Sequence, residues 1–351
     1  MPESKRIVVV TSDVPFVEGG HLTIARCVIQ ALKESGYEAD LFLTPSNRLG
    51  RLFQAYLATR LIDVEQDGLG RKIHQVISFR YPSYAVKHSF HVCWLNHRPR
   101  EYYDLWDMLI SQKSFRGIIK ERVKKKIIHA LDSYLLKNRV TKLFAQSQTI
   151  QERLKKWGNI QSEVLYPPPP QRAYRTDSYQ NFIFSVSRLQ KLKRMDLLIE
   201  AFKHVKNKEC KAFIMGEGSE YENLSAKIRQ NNLEKRVFFL TQKDEETLLD
   251  YYARCRAVFF SPLREDYGFV TAEAFSSRKP VLTTHDSGGP AELVKNGQTG
   301  YILDPHPKKI AEKIDELAER KSLAEDLGQK AYEFISKFSW AETVKKLIIR
   351  K

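Results

Sequence analysis

Two glutamates in the second half of the sequence carry the clearest chemical signal. Glu265 and Glu273 lie eight residues apart. A carboxylate can accept hydrogen bonds from neighbouring hydroxyl groups such as those of a hexose or a ribose. The backbone N–H groups at the start of a helix attract phosphate. The segment between the glutamates is a candidate helix start. The residues whose backbone is expected to bind phosphate there are Tyr267, Gly268, Phe269 and Val270. This order predicts a site for a sugar, a diphosphate and a ribose.

Basic residues and glycines follow the neighbouring predicted strands. Arg188 and Lys193 follow the strand predicted at 182–187, where two cations would neutralise a leaving diphosphate. Gly216 follows the next predicted strand, at 211–215. The paired glycines at 288–289 follow the strand predicted at 280–283, and they are expected to let the backbone approach a ligand closely. These residues extend the predicted site across several loops.

The first half of the sequence contributes two further candidates. Gly19 and Gly20 form a turn between a predicted strand at 6–12 and a predicted helix at 21–34. His97 stands in a polar run directly after the apolar stretch 91–95. Both lie where a strand leads into a loop, and ligands of open parallel sheets bind at the carboxyl ends of the strands.

The elements that position these residues alternate between strand and helix patterns. The alternation begins at residue 6, resumes at 182 after the prolines at 167–170, and gives way to a purely helical pattern from 307. Short apolar strands separated by helices indicate parallel sheets covered on both faces. We therefore predict an α/β fold with two Rossmann-like doubly wound domains facing a central cleft. The predicted domains are residues 1–168 and 169–336, followed by a helix at 337–351.

The net charge of +16 is concentrated in one segment. Residues 113–156 hold 13 Lys and Arg against 3 Asp and Glu. We expect this segment to meet an anionic membrane surface, with phosphate-bearing acceptors and nucleic acid as alternatives. The isoleucines and leucines among these charges are expected to form the inward face of an amphipathic helix, so that electrostatic attraction dominates the binding.

Other classes of protein fit the sequence less well. The four cysteines stand far apart in apolar stretches, which predicts reduced, buried side chains. The apolar run at 7–10 is too short for a signal peptide, so a cytoplasmic location is expected, with peripheral attachment to the inner face of a membrane as an addition. A nicotinamide-dependent oxidoreductase is disfavoured, because the glycine pair at 216 and 218 lacks a third glycine and does not open the first βαβ unit.

Taken together, these motifs resemble the retaining glycosyltransferases of family 4, the glycosyl transferases group 1, which have the GT-B fold. The resemblance is close over residues 182–305 and looser elsewhere. For the fold, the resemblance implies an acceptor-side domain at 1–168 and a donor-side domain at 169–336, with the helix at 337–351 crossing back to the first domain. It implies that Glu265 binds the donor sugar, Glu273 binds the nucleotide ribose, and Arg188 and Lys193 contact the diphosphate. The polar run at 96–104 is similar to a segment of O-antigen-type mannosyltransferases, which implies that His97 approaches the transferred sugar.

The resemblance also assigns glycines and a reaction. Gly19 and Gly20 resemble a glycine loop under the donor phosphates, and Gly216 fits the family pattern, whereas Ser187 and Arg194 stand where the family has glycine. The implied reaction is hexosyl transfer from a nucleoside-diphosphate sugar to an acceptor hydroxyl of a glycan or glycolipid, with no cofactor and no metal. GDP-mannose is the first donor expected, followed by UDP-glucose and UDP-N-acetylglucosamine. A DNA-modifying glucosyltransferase and a basic nucleic-acid-binding protein are the alternatives.

Overall fold

The computed structural model describes residues 5–12, 19–45, 51–241 and 244–349. The chain divides into two compact units, one formed by Met1–Pro168 with Phe338–Lys351 and the other by Pro169–Lys337. Each unit contains one six-stranded sheet, and every described strand pair runs parallel. The predicted α/β class with two doubly wound domains is therefore confirmed.

The sheet of the first unit has the strand order β2-β1-β3-β4-β5-β6. Its strands are β1 (Arg6–Ser12), β2 (Glu38–Thr44), β3 (Gln75–Ser78), β4 (His91–Leu95), β5 (Lys142–Ala145) and β6 (Glu163–Val164). All five residues of β4 are buried, as expected of a strand covered on both faces. The strand pattern at 6–12 is confirmed, whereas the short strands β3, β5 and β6 were not predicted.

Within the described residues, the helices of the first unit that precede the proline run are α1 (Gly20–Glu34), α2 (Leu52–Arg60), α3 (Trp106–Ile110), α4 (Phe115–Asn138) and α5 (Gln148–Lys156). The long helix α4 is fixed on its inner face by Asp132, which is fully buried. The carboxylate of Asp132 accepts hydrogen bonds from the hydroxyls of Tyr84 at 2.6 Å, Tyr103 at 2.7 Å and Tyr56. These bonds satisfy a buried charge and hold α4 to the rest of the unit.

The apolar residues of α4 do not all face inward, which corrects the expectation from the sequence. Ile128 and the two leucines at 135–136 are buried, whereas Ile119, Val123 and Ile127 are exposed. The period of the sequence identifies the helix faces but does not say which face a neighbouring element covers.

The sheet of the second unit has the order β12-β11-β10-β7-β8-β9. Its strands are β7 (Phe182–Val186), β8 (Lys211–Met215), β9 (Val237–Phe239), β10 (Ala257–Phe259), β11 (Val281–Thr284) and β12 (Gly300–Leu303). The helices are α6 (Met195–Phe202), α7 (Tyr221–Gln230), α8 (Glu245–Arg254), α9 (Phe269–Ser276), α10 (Gly289–Leu293), α11 (Pro307–Glu319) and α12 (Lys321–Ile335). Its core includes Ile183, Ala212, Ala257 and Leu282, one residue from each of four neighbouring strands.

The last helix, α13 (Trp340–Leu347), belongs to the first unit and packs against α1. The Trp340 ring lies edge-on to Trp94 of β4 with 6.3 Å between the ring centroids. The side chain of Gln75 donates to the Leu347 carbonyl at 2.8 Å and accepts from the Ile349 N–H at 2.9 Å. The predicted return of the C-terminal helix to the first domain is confirmed.

All four cysteines are free and buried, as expected. Among the described residues, none of the helices combines the length and the apolar character of a membrane span.

Candidate active site

The predicted donor residues lie at the carboxyl edge of the second sheet. Arg188 and Lys193 follow β7, Gly216 follows β8, and Glu265 follows β10. Strands β8, β7, β10 and β11 are neighbours in this order, so their carboxyl-terminal loops share one edge of the sheet. The parallel topology therefore collects residues that are up to 77 positions apart in the sequence.

The structure brings Lys193 and Glu265 together. The Lys193 Nζ atom lies 2.7 Å from the Glu265 Oε2 atom, and both side chains are largely covered. Lys193 ends a short 3-10 turn, Lys191–Lys193, and its ammonium lies 5.7 Å from the centre of the Phe260 ring. Arg188 is exposed at the end of β7 and is not part of this ion pair.

Glu273 is held by a separate set of partners. Its side chain is only 9% exposed. The Oε1 atom accepts a hydrogen bond from Arg172 at 2.6 Å, and the Oε2 atom accepts one from the Tyr252 hydroxyl at 2.9 Å. Burial raises the pKa of Glu273, and the charge of Arg172 together with the Tyr252 bond opposes that rise. The two glutamates are therefore positioned by different cations.

The loop that carries Glu265 is clamped against the loop after β11. The Glu265 N–H donates to the Ser287 carbonyl at 2.7 Å, and the Gly289 N–H donates to the Glu265 carbonyl at 3.1 Å. Gly288 has a φ of 74°, and a Cβ atom there would lie 2.4 Å from the Glu265 carbonyl oxygen. The expected close approach of the paired glycines is therefore an approach to the Glu265 loop itself.

Arg194 ties three of these loops together. Its φ of 49° is left-handed, and the guanidinium donates to the Ser261 carbonyl at 2.8 Å and to the Thr284 hydroxyl at 2.7 Å. It also forms an ion pair with Asp286 at 2.7 Å. Burial alone would raise the pKa of Asp286, but the bonds from Arg194 and Thr284 outweigh it, and the pKa lies below its usual value. Glycine adopts such a left-handed backbone more readily than arginine does.

The remaining donor-side candidates surround the start of α9. Gly268 precedes the helix with a left-handed φ of 84°, and Phe269 and Val270 form its first half-buried residues. Tyr267 is 2% exposed and its ring lies edge-on to Phe269, so its side chain is part of the packing at the start of α9. At Gly216, a Cβ atom would lie 1.8 Å from the Ser187 carbonyl oxygen, which means that the loops after β7 and β8 touch.

The first unit has its own group of predicted residues. Gly19 caps α1 and Gly20 is its exposed first residue, while the preceding residues 13–18 lie outside the described part of the chain. His97 follows β4, and its Nδ1 atom lies 2.9 Å from the Arg98 carbonyl. Burial, then the charge of Arg80, lowers the pKa of His97 well below its ordinary value, so the ring is neutral at pH 7. The structure therefore gives a neutral His97 at the carboxyl edge of the first sheet.

Comparison with known proteins identifies the second unit. Residues 171–334 match the model of the family described as glycosyl transferases group 1. Over this segment, the resemblance to the glycosyl transferases group 1 that the sequence motifs indicated is confirmed. The matched segment contains Arg188, Lys193, Gly216, Glu265 and Glu273, and with them every donor-side candidate of the second unit.

Two curated relatives of this glycosyltransferase are similar in sequence. An uncharacterized glycosyltransferase of Methanocaldococcus jannaschii is 25% identical over 260 residues, which are 68% of this chain and 73% of the relative. The poly(ribitol-phosphate) alpha-N-acetylglucosaminyltransferase of Staphylococcus aureus is 31% identical over 173 residues, which are 48% of this chain but only 34% of that enzyme. The second alignment thus spans about a third of the relative's length.

Solved structures are similar to this glycosyltransferase in fold over nearly the whole chain. Sucrose-phosphate synthase from Thermosynechococcus elongatus has a TM-score of 0.77 at 15% identity and covers 97% of both chains. A mutant of TarM from Staphylococcus aureus, solved with fondaparinux, alpha-GlcNAc-glycerol and UDP, has a TM-score of 0.71 at 15% identity and covers 98% and 99% of the two chains. This likeness supports the GT-B fold.

Three residues of the glycosyltransferase site were missed by the sequence analysis. Arg172 and Tyr252 carried no signal in the sequence, and Arg194 was noted only as a replacement for glycine. Arg194 could have been found from a local signal, because it is a basic residue at a position where the family resemblance leads one to expect glycine. No group of three or more His, Cys, Asp and Glu side chains suited to a metal ion occurs within the described ranges.

Proposed function

We propose that this glycosyltransferase moves a hexosyl group from a nucleoside-diphosphate sugar to an acceptor hydroxyl, with retention of the anomeric configuration. The observation that carries the proposal is the Lys193–Glu265 pair, with 2.7 Å between Nζ and Oε2, which joins the turn after β7 to the loop that precedes α9. It joins a cation suited to a phosphate with an acceptor suited to sugar hydroxyls, next to a helix N-terminus.

The proposed roles follow from the remaining hydrogen-bonding capacity of each group. An ammonium has three N–H donors, so Lys193 can keep its bond to Glu265 and still donate to a phosphate oxygen. Glu265 retains its Oε1 atom as an acceptor for a sugar hydroxyl. Arg188 supplies a second, exposed cation for the diphosphate, and Glu273 takes the ribose.

In the proposed reaction, the bond between the anomeric carbon and the leaving diphosphate oxygen breaks. The acceptor oxygen bonds to the same face of that carbon, and the leaving phosphate takes the acceptor proton. Negative charge grows on the leaving diphosphate, where Lys193 and Arg188 are proposed to stabilise it in place of a metal ion. His97 and the turn at Gly19 and Gly20 are proposed to contact the transferred sugar and the phosphates.

The proposed donors are GDP-mannose, UDP-glucose and UDP-N-acetylglucosamine, and the proposed acceptor is a glycan or glycolipid. The UDP in the TarM structure and the N-acetylglucosaminyl group named for the staphylococcal relative support the uridine donors. The resemblance to O-antigen-type enzymes supports GDP-mannose.

A thermal-shift panel of these nucleoside diphosphates and their sugars, with and without excess EDTA, tests the proposal. A ligand at a hundred times its dissociation constant should stabilise the protein by ~2.7 kcal/mol. We expect the nucleotides of one base to raise the melting temperature of the protein by the same amount with and without EDTA. Lys193→Ala should weaken binding of that nucleotide by about tenfold to a hundredfold, because a charge-assisted bond contributes about 1.5–3 kcal/mol.

Lys191→Ala is the matched control, because Lys191 lies in the same turn and its side chain is exposed. This variant should bind the nucleotide as the wild type does. An absent shift with every nucleotide would refute the proposed reaction class. Equal binding by the Lys193 variant would refute the diphosphate assignment, and a shift that requires a divalent cation would refute metal independence.

A further inference from the structure

The outer face of α4 exposes a row of large apolar side chains. Phe115, Ile119, Val123 and Ile127 are 77%, 48%, 55% and 50% exposed. Side chains four positions apart lie above one another on a helix, so these four residues form one continuous stripe about 18 Å long. Scattered apolar residues are normal at a protein surface, but a contiguous exposed row indicates an interaction site.

Basic side chains border this stripe. Arg116, Lys120, Arg122 and Lys126 are all exposed. Two other lysines of the helix have partners within the unit: Lys124 pairs with Glu121 at 2.7 Å, and Lys125 lies 4.2 Å from the centre of the Trp106 ring. The exposed cations are therefore interleaved with the apolar stripe, and this combination is what a binding partner would meet.

The opposite side of the helix shows that the stripe is not a misplaced core face. The buried carboxylate of Asp132 is bonded to Tyr84 and Tyr103, and Leu135 and Leu136 are buried beside it. The unit thus already has an inner face of α4. The stripe is an additional apolar surface, and it lies on the helix face turned away from Asp132.

The charge and the hydrophobicity of the exposed face of α4 together indicate which partner it binds. A nucleic acid would satisfy the cations but would leave the aliphatic side chains in water. A second copy of the chain could cover the stripe but would bring like charges together, which is unfavourable. An anionic bilayer satisfies both features, because apolar side chains enter the boundary of the acyl chains while Lys and Arg remain among the headgroups.

We propose that α4 docks this protein on an anionic lipid bilayer, with the stripe Phe115, Ile119, Val123 and Ile127 inserted into the interface and the four exposed cations among the headgroups. The helix lies in the plane of the interface and does not span the bilayer. Apolar insertion and electrostatic attraction both contribute, so binding weakens at high salt without disappearing. This inference does not depend on the proposed donor chemistry.

Co-sedimentation with liposomes tests the proposal. Wild-type protein should bind vesicles of phosphatidylglycerol and phosphatidylcholine in preference to pure phosphatidylcholine, and part of the binding should persist in high salt. The charge variant should lose about a hundredfold or more in affinity, because each basic residue near an anionic surface contributes to binding. The apolar variant should keep the low-salt binding in weakened form and lose the salt-resistant part. The charge variant carries Lys120→Glu, Arg122→Glu and Lys126→Glu, and the apolar variant carries Ile119→Gln, Val123→Gln and Ile127→Gln.

Matched controls place the same changes on exposed residues outside α4. The charge control carries Lys206→Glu, Lys208→Glu and Lys235→Glu, and the apolar control carries Leu69→Gln, Tyr221→Gln and Tyr332→Gln. Both controls should bind vesicles as the wild type does. Circular dichroism checks that all variants remain folded, since every changed side chain is exposed.

Several outcomes would overturn the proposal. Equal binding to neutral and anionic vesicles would show that electrostatic attraction does not contribute to membrane binding. If the apolar variant keeps the salt-resistant binding unchanged, the apolar stripe is not inserted into the bilayer. Tight binding of duplex DNA without binding to vesicles would assign the surface to nucleic acid. A wild-type dimer that the apolar variant converts to monomer, again without vesicle binding, would assign it to a second copy of the chain.

Discussion

At the scale of single residues, Glu273 combines a proposed ligand role with a structural one. Its carboxylate is buried, and both oxygens already accept hydrogen bonds, from Arg172 and from the Tyr252 hydroxyl. Arg172 also forms an ion pair with Glu245 at 3.0 Å. A ribose would therefore meet a carboxylate that is oriented before the ligand arrives. Removing it would leave the buried Tyr252 hydroxyl without its acceptor and Arg172 with Glu245 as its remaining ion-pair partner.

We therefore predict that Glu273→Ala destabilises the protein as well as abolishing nucleotide binding. Breaking a buried ion pair by removing one partner costs about 3–5 kcal/mol, and about 3 kcal/mol is expected here because Arg172 keeps Glu245 as a neighbour. Urea denaturation measures this loss. Glu246→Ala removes an exposed carboxylate from α8 and serves as the control. If both variants unfold at the same urea concentration, Glu273 has no structural role.

At the scale of elements, the regular segments of the second unit could be predicted and their loop contacts could not. The strand pattern at 211–215 coincides with β8 (Lys211–Met215), because an alternating chain of apolar strands and amphipathic helices is a local signal. The contacts of Arg194 reach Ser261 and Asp286, 67 and 92 positions away. The local spacing of polar and apolar residues carries no information about contacts between residues so far apart in the sequence. The partner of the glycines at 288–289 was missed for the same reason.

The clamp between two loops leads to a prediction about Gly288. We expect Gly288→Ala to lower both stability and donor binding, because its Cβ atom would lie 2.4 Å from the Glu265 carbonyl oxygen and displace that loop. Gly297→Ala is a matched control, since Gly297 has a φ of 71°, against 74° for Gly288, and a Cβ atom there has no neighbour within 4 Å.

The control should show only the cost of a left-handed alanine, about 1–2 kcal/mol. Thermal unfolding and nucleotide titration of the two variants separate the cost of a left-handed alanine from the effect of displacing the Glu265 loop. We expect the Gly288 variant to be the less stable of the two and to bind donor more weakly, while the Gly297 variant binds donor normally. Normal donor binding by both variants would mean that the glycine pair does not position Glu265.

At the scale of the whole molecule, the two parallel-sheet units could be read from the order of the elements, and the returning helix was implied by the family resemblance. The orientation of α4 could not, because the same isoleucine and leucine spacing suits an inward or an outward face, and contacts with the rest of the unit decide between them. In this chain, Asp132 and its tyrosine partners occupy the inner face. The return of α13 depends on a similar long-range contact, between Trp340 and Trp94.

The membership of α13 in the first unit leads to the last prediction. Truncating a buried tryptophan to alanine costs about 3–5 kcal/mol, and the Trp340 side chain is one of the contacts between α13 and the strand β4. Local stability sets the rate at which backbone amides exchange with solvent. In Trp340→Ala, amides of β4 and α1 should therefore exchange faster, while those of β7 and β10 keep their wild-type rates.

Leu327→Ala is the matched variant, because Leu327 is a buried residue of α12 in the core of the second unit. It should accelerate exchange in β7 and β10 and leave β4 unchanged. Hydrogen exchange read by mass spectrometry resolves these segments in the full chain, and each tenfold increase in rate corresponds to about 1.4 kcal/mol of local stability. If Trp340→Ala instead accelerates exchange mainly in β7 and β10, α13 stabilises the second unit in solution, and its assignment to the first unit is wrong.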